Sequence, residues 1–162
     1  MEFEDLLKSL EEAFGISGLV PDDMHMVELD ANGTSLTVFG EPRSRTVALF
    51  AEIGDLPLEG RGSFYALALK SNWFVQGGGD AVVSINPETN ALTLNRVYPM
   101  DGLDGESFVG LVYHFASAID VWRQIAADWR GAAEEGAAEE GAAQGAGADG
   151  VPPPGDEQII RG

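Results

Sequence analysis

The chain has 162 residues, no cysteine, two histidines and a formal charge of −18. Without cysteine it has no disulfide, no thiolate nucleophile and no Cys-based metal site. The charge repels phosphate backbones and anionic membrane surfaces, which argues against nucleic-acid and membrane partners.

The charge is spread over two unlike regions. Residues 1–130 carry 20 acids and 8 bases and mix apolar, aromatic and charged residues, while residues 131–162 carry 7 acids and 1 base and no aromatic residue. The expectation is one domain over 1–130, large enough for a core of its own, and a disordered acidic Gly/Ala/Glu-rich tail over 131–162.

The first helix is predicted from Glu2 to Phe14. Phe3, Leu6, Leu7, Leu10 and Phe14 recur every three or four residues, and Gly15 is a natural left-handed stop. A strand is predicted over Met24–Asp30, a tight turn at Asn32-Gly33, then strands over Ser35–Phe39 and Thr46–Ile53 separated by Gly40-Glu41-Pro42. One face of these strands reads Val27, Leu29, Leu36, Val38, Val47, Leu49, Ala51 and Ile53. The other holds Met24, Met26, Thr37, Phe39, Ala48 and Phe50, more apolar than a solvent face requires. Two readings follow for this second face: core packed under a helix, or a partly exposed groove to which unbranched methionine is well suited.

A second helix is predicted over Ser63–Phe74 and is apolar on every side. Phe64, Leu67, Ala68 and Phe74 share one face, while Tyr65, Ala66, Leu69 and Trp73 cover much of the opposite one. A helix apolar all round needs cover on both sides, and in a small domain a second copy of the chain is the simplest second cover. Gln76–Asp80 turns the chain into strands over Ala81–Ile85 and Ala91–Tyr98, joined by the turn Pro87–Asn90. Asp104 N-caps the last helix, with Leu103 and Phe108 as a hydrophobic staple and a stripe from Phe108 through Trp122 to Trp129. The order α-β-β-β-α-β-β-α, with strands in consecutive runs, is an α+β fold with a mostly antiparallel sheet. Beyond Gly131, the near-repeat GAAEE-GAAEE-GAAQG has too few apolar groups to offset chain entropy.

Catalytic patterns are missing. His25 and His114 lie 89 positions apart without HExxH or related spacing, and there is no GxSxG elbow. Gly77-Gly78-Gly79 is not followed by Gly-Lys-Ser/Thr, and the run from Asp101 to Glu106 does not follow the EF-hand pattern. The expectation is a non-enzyme with no cofactor, no metal and no small-molecule substrate. The N-terminus lacks a basic region and apolar run, and no stretch reaches membrane-span length, so a cytoplasmic protein is expected.

Across residues 3–129 the pattern resembles the class I type III secretion chaperones of the Tir-chaperone (CesT) family. The resemblance rests on Phe3-Glu4-Asp5-Leu6-Leu7 closing at Phe14-Gly15, on Ile53-Gly54-Asp55-Leu56-Pro57, on Tyr65 to Asn72, on the three glycines at 77–79, on Leu92-Thr93-Leu94 and on the closing helix with Trp122. It implies a non-catalytic homodimer that binds the N-terminal segment of a secreted effector in extended form. The Gly-Ala-Glu tail departs from the family pattern. Combined with the face argument, the candidate effector-binding residues are Met24, Met26, Phe39 and Phe50, and the candidate dimer-interface residues are Tyr65, Leu69 and Trp73. The alternative is a regulatory or adaptor protein of the same fold that binds a folded partner.

Overall fold

The computed structural model describes residues 2–31, 33–58, 60–73 and 81–145. Its elements run α1 (Phe3–Phe14), β1 (Met26–Ala31), β2 (Thr34–Glu41), β3 (Thr46–Asp55), α2 (Arg61–Ser71), β4 (Val82–Ile85), β5 (Ala91–Pro99) and α3 (Gly105–Gly145). The five strands form one sheet in the order β1-β2-β3-β5-β4, and every neighbouring pair is antiparallel. The α+β order expected from the sequence is the order observed.

Local chemistry sets the ends of the elements. The Glu2 N–H donates to the Asp5 carboxylate, and Gly15 adopts the left-handed φ of 65° that ends α1. The Ser107 N–H donates to Asp104 Oδ1 at 2.8 Å, and the buried Phe108 with the half-buried Leu103 completes the staple at the start of α3.

α1 and α3 cover one face of the sheet. Leu6, Leu7 and Leu10 of α1 and Phe108, Val112, Phe115, Ile119 and Trp122 of α3 are buried against Val27, Leu36, Val38, Val47, Leu49 and Leu94. A fully buried aliphatic or aromatic side chain contributes about 1.5–3 kcal/mol, so this single layer is the main source of stability. Phe64 anchors α2 to the same core, edge-on to Trp122 at 6.5 Å and to Trp129 at 5.5 Å between ring centroids.

Most boundaries shift by one or two residues from the sequence reading, and some of the shifts have a local cause. The first strand starts at Met26 rather than Met24, because Asp22 Oδ1 accepts from both the Met24 and Met26 N–H groups and His25 takes a left-handed φ of 60°. Met24 therefore lies in a side-chain-closed turn. α2 starts at Arg61 and ends at Ser71, so Trp73 lies past it. α3 is described through Gly145 and so takes in the first part of the tail expected over 131–162. Alanine and glutamate rank high in helix propensity, and each glycine costs only about 1 kcal/mol. Phe74, the turn Gln76–Asp80, Asn32 and residues 146–162 lie outside the described residues.

Candidate functional site

Side chains on a strand alternate between faces, so the register identifies what shares the face away from α1 and α3. Met26 pairs with Phe39, Phe39 with Ala48 and Ala48 with Val97. This makes one apolar row across β1, β2, β3 and β5. The next row runs Glu28, Thr37, Phe50, Asn95 and Val82. Met26, Phe39, Ala48 and Phe50 are half-buried and stand outside the core cluster, and Val97 is 57% exposed. No described helix packs on them. Of the two readings left open by the sequence, the geometry has the form of an open apolar face. Met26, Phe39 and Phe50 come together on it, whereas Met24, 62% exposed, sits in the turn beside it.

A second apolar surface flanks α2. Phe64 is buried, Tyr65 and Ala68 pack partly against the core, and Leu69 and Trp73 are 72% and 69% exposed. Between α2 and the edge strand β4 lies a cavity of about 320 Å³ lined by Tyr65, Ala68, Leu69, Asn72, Val83 and Ile85 among others. The three residues expected at a dimer interface therefore lie on or next to one apolar surface, formed because only one side of α2 reaches the core.

A third feature was not singled out in the sequence. Phe14, Ile16, Leu29, Asp30, Val112, Tyr113 and Ala116 line a cavity of about 220 Å³ beside β1. The Phe14 and Tyr113 rings form part of its wall, 4.9 Å apart and tilted by 48°. The available signal was Tyr113, which falls beside the buried stripe of the last helix, together with an isoleucine just past the Gly15 stop.

The charged groups serve structure. Arg45 donates to Asp101 at 3.0 Å and to Glu2 at 3.4 Å, and these partners raise its pKa. All three side chains are open to solvent, where such pairs contribute little. The backbone N–H and side chain of Ser107 hold the Asp104 carboxyl below its ordinary value. Glu52 Oε1 accepts from Asn86 Nδ2 and Thr89 Oγ1, both at 2.8 Å, and so ties the β4–β5 turn to β3. Among the described residues no group of three or more His, Asp or Glu side chains is placed to hold a metal ion. No described helix is long and apolar enough to cross a membrane.

The model of the Tir chaperone protein (CesT) family matches residues 5–123. No curated protein matches the chain. Among solved structures, a chain of the ExsC–ExsE complex superposes with a TM-score of 0.63 at 18% identity, covering 78% of this chain and 97% of that one. A chain of the HopA1–SchA chaperone–effector complex gives 0.58 at 16% identity, covering 79% and 92%. A chain from the complex of the Yersinia pestis type III secretion chaperone SycH with a stable fragment of YscM2 gives 0.58 at 12% identity, covering 72% and 95%. At these identities the likeness is one of fold.

Proposed function

The chain belongs to the Tir chaperone protein (CesT) family, and on that premise we propose that it is a non-catalytic cytoplasmic chaperone for a type III secretion effector. It binds the N-terminal segment of the effector in extended form and keeps it competent for export. The observation that carries this reading is the apolar row Met26–Phe39–Ala48–Val97, with Phe50 in the next row, on a sheet face that no described helix covers. Such a face is suited to alternate side chains of an extended chain, while the missing catalytic constellation leaves binding as the activity. Similar folds come from complexes described as chaperone–effector or chaperone–fragment assemblies.

The working unit of this proposal is a homodimer joined through α2. Tyr65, Leu69 and Trp73 supply its contact, and the cavity beside β4 receives side chains of the second copy. The dimer leaves the outer sheet face open, so client and partner copy do not compete.

Co-expression with candidate effectors tests the function. The native chain is expected to co-purify with an effector through its N-terminal segment. Phe50→Glu is expected to abolish capture while circular dichroism and dimer mass stay unchanged. Loss of the fold in this variant would instead make Phe50 a core residue and refute its groove role. Recovery of a folded regulatory partner in place of any secreted effector would favour the adaptor alternative.

A further inference from the structure

α2 is held to the domain at its two ends by different means. At its start, Gly60 lies against the Trp129 ring, Arg61 Nε donates to the Pro57 carbonyl at 2.8 Å, and Phe64 is the buried residue of the helix. No buried side chain follows within α2: Tyr65 and Ala68 are half-buried and Leu69 is exposed. The far end is held by Asn72, the residue that caps it. Asn72 Nδ2 donates to the Val83 carbonyl at 3.0 Å, and the Val83 N–H donates to Asn72 Oδ1 at 2.9 Å.

The two bonds fix the amide, because exchanging its nitrogen and oxygen would set donor against donor and acceptor against acceptor. β4 is the last strand of the sheet, with β5 as its neighbour on the other side. An outward-facing strand residue offers its N–H and C=O together to the next strand, and the Asn72 amide takes both from Val83. A side chain of α2 thus fills the place of a further strand at the middle of β4. A second copy reaches this edge through side chains and not through ladder hydrogen bonds.

We propose that Asn72 is the positioning residue of the surface through which two copies associate. The cavity of about 320 Å³ is lined by Tyr65, Ala68 and Leu69 from α2 and by Val83 and Ile85 from β4, and the Asn72–Val83 pair ties its two walls together. Asn72 stands about 12 Å along the helix from Phe64, so a pivot of about 10° about that anchor displaces this end by about 2 Å. Packing at the core of an interface is as dense as a protein interior, where a gap of that size forfeits the contact. With the pair in place, Leu69 is presented at a fixed height above β4. Without it, the same apolar groups are present but not aligned for a second copy. The inference rests on the α2 dimer reading and adds the residue that sets its geometry.

The full chain is compared with Asn72→Leu, Asn72→Ala and Gly40→Ala by sedimentation equilibrium. Leucine keeps the branched outline of asparagine and removes both hydrogen bonds. Gly40→Ala crowds Phe3 on α1 and lowers stability without touching α2. Asn72→Leu and Asn72→Ala are each expected to raise the dimer dissociation constant about tenfold or more, the scale of two lost hydrogen bonds, with circular dichroism unchanged. Gly40→Ala is expected to keep the native constant. The Val83 amide is expected to exchange slowly in the native chain, both in the dimer and at dilutions that dissociate it, and fast in the dissociated Asn72 variants. A native constant in Asn72→Leu, or equal weakening by Gly40→Ala, would overturn the proposal and leave the α2 interface standing. Protection of Val83 that appears only in the dimer would also overturn it, by placing a strand of the second copy on β4. Loss of the fold in both Asn72 variants would make Asn72 a residue of the fold and overturn it likewise. A native chain that is monomeric at micromolar concentration would refute the α2 interface itself, and this role of Asn72 with it.

Discussion

Gly40 decides how closely α1 approaches the sheet. A Cβ at this position would stand 2.6 Å from the Phe3 ring, which is itself buried. Gly40→Ala is predicted to cost about 1–3 kcal/mol, the usual range for overpacking, read as a lower urea midpoint with an unchanged slope. Asp104 controls the other helix start. Its lowered pKa means that its stabilisation is present above the carboxylate value of the unfolded chain and is lost as pH falls through the folded value. Asp104→Asn keeps an N-cap acceptor that does not titrate. The native chain is therefore predicted to lose more of its melting temperature than the variant on acidification, and thermal melts of both at neutral and acid pH check this. Equal acid limbs would contradict the assignment. Residue placements of this kind were only partly legible in the sequence. The Asp104 cap and the Gly15 stop are local patterns. The Asp22 carboxylate that draws Met24 off the strand is a choice between a side-chain and a backbone hydrogen bond, which alternation of apolar residues does not report.

At the scale of elements, α2 carries the assembly proposal. Its periodicity showed apolar groups on every side, and the fold accounts for half of them: Phe64 faces Trp122 and Trp129, while Leu69 points away from the core. Leu69→Asp is predicted to yield a monomer or an aggregate by sedimentation equilibrium, since even a neutral truncation of a buried leucine costs about 2–5 kcal/mol. A native chain that is monomeric at micromolar concentration would refute the interface. Trp129 holds the other end of the same helix, where its ring lies against the left-handed Gly60 that starts α2. Trp129→Ala is accordingly predicted to weaken the dimer along with the monomer. Helices and strands were legible because their periods differ and their caps are local. The strand order β1-β2-β3-β5-β4 and the cavity beside β1 were not. Phe14, Leu29 and Tyr113 come from three separate elements, and only the packing of α1 and α3 on one sheet face makes them neighbours.

At the scale of the molecule, the core lies on one sheet face, no described helix covers the other, and an acidic extension follows the domain. We propose that residues 131–162 form a solubilising tail, although α3 runs through Gly145. A helix beyond the packed core has little tertiary support, and marginal helices in water contribute little. Truncation after Arg130 is predicted to change the melting temperature by no more than about 2 °C while raising the tendency to aggregate. On the proposed function, the chain acts by holding an unfolded segment in extended form. The most direct measurement is limited proteolysis of the purified complex with an effector, read by mass spectrometry and repeated with Phe50→Glu. The expected result is a protected N-terminal effector segment that keeps no fold of its own when released, and no protection with the variant. A protected partner that is compactly folded when freed from the chain, with the same protection by Phe50→Glu, would contradict it.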